Sequence, residues 1–131
     1  MSATWARAAA TYQEVQVTSR SPLELVVMLY DGAIRALDQA RDALVRRDLV
    51  AKRAAMNRAL DIVHHLQSSL DMEAGGEIAA NLDALYSYVI ERLLEANRRT
   101  DQAPVDEALR LLNTLREAWA QIAEAPSAGA R

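Results

Sequence analysis

The chain has 131 residues, of which 51% are hydrophobic and 25% charged, enough for one folded domain that buries roughly two-thirds of its unfolded surface. Its formal net charge of −3 argues against a nucleic-acid binder, which needs basic residues gathered on one surface. With no cysteine it has no disulfide, no thiolate zinc site and no thiol nucleophile, a composition that fits the cytosol.

The first ten residues are alanine-rich but interrupted by Arg7, and lack the basic start and sustained apolar run of a secretion signal. No window reaches the ~20 apolar residues of a membrane span, so a cytosolic protein without membrane insertion is expected. Residues 1–20 read as an N-terminal segment, either an extra helix or a cap, that carries Trp5 and Tyr12. Because an open apolar patch promotes aggregation, this segment is expected to fold back over a binding groove.

Ser21-Pro22-Leu23-Glu24 combines an N-cap serine, a proline at the first helical position and a glutamate at the third, so a helix is predicted over 22–47. One apolar stripe runs through Val26, Leu29, Ala33, Leu37, Ala40 and Leu44. A second, through Leu23, Val27, Tyr30 and Ile34, lies about a quarter turn away, and Leu25 and Met28 make the first half apolar nearly all round. That is more apolar surface than two or three bundle partners cover. It points to a self-partner, the chain's own N-terminal segment, or an amphipathic helix of a client.

A second helix is predicted from about residue 49 to 70, with Met56, Leu60, Val63, Leu66 and Leu70 on one face. Gly75 and Gly76 then break the chain, and a third helix over 77–97 has the most regular stripe, from Ile78 through Leu82, Leu85, Val89 and Leu93 to Ala96. Pro104 opens a fourth, to about residue 123, with Val105, Leu109, Leu112, Leu115, Trp119 and Ile122 facing inward. Residues 125–131 read as a disordered tail. Short connections between amphipathic helices give an all-α, antiparallel, up-down four-helix bundle over 21–124.

No acid, base or nucleophile stands at a spacing that catalysis would use, so the chain reads as a non-enzyme without cofactor. A di-iron bundle needs two Glu-x-x-His pairs, whereas the only histidines, His64 and His65, are adjacent and point about 100° apart, a poor metal site. The basic pairs Arg46-Arg47, Lys52-Arg53 and Arg98-Arg99 lie near helix ends, where cations complement the macrodipole or stay solvated. The tyrosines join an apolar ring to a polar tip; Tyr86 reads as a residue of the core margin, and Tyr12 as margin or interface. From the residues alone the reading is a helical binding module.

Three blocks carry a resemblance to a known family. Tyr12-Gln13 followed by Ser21-Pro22-Leu23-Glu24-Leu25-Val26-Val27-Met28-Leu29-Tyr30-Asp31-Gly32-Ala33-Ile34 resembles the leading motif of the flagellar export chaperones of the FliS family. Ser69-Leu70-Asp71, Gly75-Gly76-Glu77-Ile78-Ala79, Asn81-Leu82, Leu85-Tyr86, Tyr88, Arg92-Leu93 and Ala96-Asn97 match its middle signature in order and spacing, and Leu115-Arg116-Glu117-Ala118-Trp119 is similar to its last helix. Arg20 departs from the pattern, which usually has a small residue there.

The resemblance implies a cytosolic chaperone that binds the C-terminal, polymerisation-forming segment of flagellin, prevents premature assembly and aids delivery to the flagellar type III export apparatus. The implied partners are flagellin, the export gate and a co-chaperone, and the chain itself would be a monomer or weak homodimer. The client is expected on a surface around Leu25, Met28, Leu29, Tyr86 and Ile90, beside the most regular stripes, with Tyr12 joining it. The competing reading is a self-associating structural bundle that ignores flagellin.

Overall fold

A capping box begins the first helix. Ser21 Oγ accepts the Glu24 N–H at 3.1 Å, and Glu24 Oε1 accepts the Ser21 N–H at 2.8 Å, with Pro22 at the first helical position. The computed structural model describes residues 21–124, so the expectations for residues 1–20, Tyr12 included, and for 125–131 lie outside the described residues. Within the described part the chain forms α1 (Pro22–Arg46), α2 (Leu49–Ser68), α3 (Met72–Arg98) and α4 (Ala103–Glu124), with no strand.

Each later helix starts on an aspartate. Asp48 Oδ1 accepts the Ala51 N–H at 3.0 Å, Asp71 Oδ1 that of Ala74 at 2.9 Å, and Asp101 Oδ1 that of Ala103 at 3.0 Å. Arg47 ends α1 in the left-handed conformation, φ 62° and ψ 33°, and its N–H returns to the Leu44 carbonyl at 3.1 Å. The connections are short, so sequential helices run antiparallel.

α3 begins one turn earlier than the glycine pair suggests. Asp71 caps a single turn, and Gly76, at φ 53° and ψ −129°, then kinks the chain before the long run to Arg98. The break is therefore a kink inside α3 and not the gap before it, because the Asp71 carboxylate supplies an N-cap that a glycine-based reading overlooks.

Around the bundle, α1 packs on α2 and α4, and α3 closes the square against the same two helices; α1 and α2 share the most extensive seam, α3 and α4 the least. Side-chain bonds fix the antiparallel register. Arg58 Nη2 donates to Gln39 Oε1 at 2.6 Å, Gln67 Nε2 to Ser87 Oγ at 2.8 Å, and Arg116 Nε to Asp31 Oδ1 at 2.8 Å. These groups are part-exposed, so each contributes about 1 kcal/mol at most.

The core is built from Leu37, Met56, Val63, Val89, Leu93 and Leu112, all fully buried, together with many alanines of α1 and α2. Complete burial of one such leucine stabilises the fold by about 2 kcal/mol. The only buried charge among the described residues is Lys52, whose Nζ donates to the Asn97 carbonyl at 3.1 Å and so satisfies the last turn of α3. Ile78 and Ile122, predicted inward, are 71% and 54% exposed. Periodicity gives a side chain's direction around the helix but not its depth along the bundle, and both lie at one end of it.

Candidate client-binding surface

At the end where α1 begins and α4 finishes, an open trough of about 210 Å³ runs between these two helices. Val27 and Met28 of α1 form one wall, Ala120 and Ala123 of α4 the other, with Glu24 and Glu124 at its mouth. The methyl groups of the alanines leave space that leucines would fill. Inward, the trough stops at the Arg116–Asp31 ion pair. From Glu24 to Asp31 it spans two helical turns, about 10 Å.

The same end exposes Met72, Ile78 and Ile122, at 48%, 71% and 54%. Val27 and Met28 line the trough, whereas Val26, half-buried, packs against the core. Aliphatic groups bordered by carboxylates offer no catalytic chemistry; they suit the capture of another apolar chain.

Beneath the trough lies a buried polar contact. The Tyr30 and Tyr86 hydroxyls hydrogen-bond across the diagonal of the bundle, and the Trp119 indole N–H donates to Tyr30 Oη at 3.2 Å. The two phenol rings sit 6.5 Å apart at 47°. Burial raises both phenol pKa values; for Tyr86 the neighbouring Tyr30 adds to the rise, while for Tyr30 the bonds to Tyr86 and Trp119 partly oppose it. Both stay neutral, and the network joins α1, α3 and α4 at one point.

On the outer face of the α3–α4 seam, Glu107 accepts the Tyr88 hydroxyl at 2.6 Å and Arg92 Nε at 2.8 Å. The Tyr88 bond, then Arg92, holds the Glu107 carboxyl below the usual carboxylate range.

The sequence-derived client residues separate into two groups. Leu25 and Leu29 are 6% exposed and Tyr86 2%, so they are buried within the bundle and not part of the surface. Met28 lines the trough itself. Ile90 is half-buried against the core on the face of α3 that Asp83 and Ser87 turn to Gln67 of α2, away from the trough. Tyr12 lies outside the described residues. The structure therefore does not bring Met28 and Ile90 onto one surface.

Sequence reasoning missed Ala120 and Ala123, whose signal is the run of small residues at 118, 120 and 123 in the last turns of α4. His64 is exposed and His65 half-buried, and among the described residues no three metal-binding side chains converge.

An antiparallel bundle with an open trough of aliphatic walls and charged borders at one end, and a core of aliphatic and phenolic groups, has the form of a helical binding module. Residues 5–126 match the family model described as "Flagellar protein FliS". The chain belongs to the FliS family, a family of chaperones and not of enzymes. It is similar to the flagellar secretion chaperone FliS of Salmonella typhimurium, with 48% identity over 110 residues, covering 83% of this chain and 82% of that protein. The flagellar secretion chaperone FliSB of Pseudomonas aeruginosa is 40% identical over 106 residues, covering 81% and 84%. FliS of Escherichia coli is 37% identical over 115 residues, covering 87% and 85%. No helix among the described residues is long and apolar enough to cross a membrane.

Proposed function

We propose that this chain is a cytosolic export chaperone that binds the C-terminal polymerisation segment of flagellin, keeps it from assembling early and hands it to the flagellar type III export apparatus. The observation that carries the reading is the open trough whose aliphatic walls are Val27, Met28, Ala120 and Ala123, bordered by charged groups, in a chain whose relatives are named secretion chaperones. A segment destined to bury apolar faces in a filament is hazardous when exposed, and an alternative apolar surface shields it. Ordering such a segment costs about 2–5 kcal/mol of the gross interaction energy, so contact has to extend past the trough to Ile78 and Ile122. Leu25, Leu29 and Tyr86, buried in the bundle, act by holding α1 in place, and Ile90 marks the α2–α3 flank along which a wrapping client would continue. The export gate and a co-chaperone are the further partners of this reading.

The test is calorimetry of the full chain with a peptide of flagellin's C-terminal region. A stoichiometric complex is expected, and Met28→Glu together with Val27→Asp should weaken it about thirtyfold or more, the effect of losing one central anchor of about 2 kcal/mol. Both side chains are only half-buried, so circular dichroism should report an unchanged helical fold. Unaltered affinity in the folded double variant would move the client elsewhere. Failure of the unmodified chain to bind the peptide at all would remove the function.

A further inference from the structure

The bundle end opposite the trough holds the three basic pairs that helix-end chemistry alone would leave solvated. The bond from Lys52 Nζ to the Asn97 carbonyl sets the start of α2 against the end of α3. There Leu44, Arg47, Leu49 and Thr100 line an open hollow of about 350 Å³.

Once placed, the six cations are not equivalent. Arg98 and Arg99 share Glu95, at 2.6 and 3.1 Å, and Lys52 is buried. Arg46, Arg47 and Arg53 make no ion pair among the described residues. Beside them Val45, Leu49 and Val50 are 70%, 51% and 83% exposed. Leu49 and Val50 stand one turn from Arg53 on α2, so aliphatic and cationic groups share one face.

Arg47 adds a second observation. Its left-handed backbone is the conformation that helix ends normally assign to glycine, and an arginine adopts it at a cost in folding. That cost places an unpaired guanidinium at the lip of the hollow.

We propose that this corner is a second docking surface, one that takes an acidic protein segment bearing a single aliphatic or aromatic anchor. The anchor enters the hollow over Leu44 and Leu49, and Arg46, Arg47 and Arg53 meet carboxylates on either side of it. A concave hollow suits one projecting side chain better than a flat lipid surface. A second copy of this chain would have to offer its own acidic end in a head-to-tail contact, which forms a ring only for particular rotations and otherwise an open filament. The corner lies about 30 Å along α1 from Glu24, so it is free while the trough is filled. It does not depend on the identity of the client.

The experiment is an NMR titration of the isotope-labelled full chain with a short peptide of glutamates around one leucine. Saturable shifts centred on Val45, Leu49, Val50 and Thr100 are expected, weakened by salt. They should vanish for a lysine-based peptide and for one with serine in place of leucine. Replacing all three arginines by glutamine should weaken binding about tenfold, from three rim contacts of a few tenths of a kcal/mol or more each. Arg47→Gly should raise the Tm and weaken the peptide together, a pairing that a purely structural arginine does not give. The proposal is overturned by equal binding of the lysine peptide or by undiminished affinity in the arginine variants. It is equally overturned if phosphatidylglycerol vesicles, and not the peptide, bind through these arginines, or if sedimentation shows self-association that Arg47→Gly abolishes.

Discussion

Replacing Tyr30 by phenylalanine tests whether the buried hydroxyl contact organises the bundle. Tyr30 is fully buried and Tyr86 2% exposed, so neither hydroxyl regains water when its partner is lost. Tyr86→Phe breaks one hydrogen bond but leaves Tyr30 Oη accepting from Trp119, a loss of about 1 kcal/mol. Tyr30→Phe breaks both bonds and strands the Tyr86 hydroxyl, which carries a further desolvation penalty of about 1–3 kcal/mol; the total is about 3–5 kcal/mol. In the double variant no hydroxyl remains to be stranded, so its loss should fall about 1–3 kcal/mol below that of Tyr30→Phe alone, and further below the sum of the singles. Urea unfolding followed by circular dichroism measures all three differences, provided the m-values agree. If Tyr30→Phe costs no more than Tyr86→Phe, or if the two losses simply add, the hydroxyls are not coupled and the contact does not organise the bundle.

Alkali should also reveal the same two residues. Burial raises their pKa values above the unfolded value near 10, so above about pH 10 the unfolded chain releases protons that the fold retains. Stability is then complete below pH 10 and declines above it by about 1.4 kcal/mol per pH unit for each buried tyrosine, a slope that Tyr30→Phe/Tyr86→Phe should flatten in pH-dependent urea melts. Gly76→Ala meets no neighbour within 4 Å, but its φ of 53° imposes about 1–3 kcal/mol of backbone strain on alanine. Because the turn before it is exposed, the strain should be relieved by unwinding Met72 to Gly75, seen as lost amide protection there with little change in Tm; a fall on the order of 10 °C would mean that this turn is integral to the bundle. Ser21→Ala removes the serine half of the capping box and should cost about 1 kcal/mol in thermal melts, whereas no loss would show that the first turn is held by other contacts.

The elements were legible where local chemistry decides them. Ser21, Pro22 and Glu24 mark the start of α1 because a cap is a contact between residues three apart, and Pro104 lies within one residue of the start of α4. The trough was only half legible. Val27 and Met28 stand out as excess apolar surface on α1, but their opposite wall is two alanines about ninety residues away, which no periodicity links to them. Tyr86 illustrates the opposite error. Its polar tip suggests the core margin, yet the tip finds a hydroxyl partner on α1 and the whole residue goes inside. Ile90, expected on the client surface, faces α2, since neighbouring stripes of α3 diverge around its axis.

The unequal seams give the bundle an internal order of opening. Gly32 comes so near to α2 that a methyl group there would stand 3.3 Å from Ile62 Cδ1, and fully buried alanines, Ala33 and Ala40 on α1 with Ala55 and Ala59 on α2, let the two backbones approach closely. Such a seam behaves as one stiff cooperative unit, because separating it forfeits many contacts at once. α3 and α4 share the least contact and are joined at their outer edge by the clasp of Glu107 with Tyr88 and Arg92, which water and salt loosen. Thermal breathing therefore begins along α3 and α4 while α1 and α2 hold. The molecule is a rigid hairpin closed by a softer seam between α3 and α4.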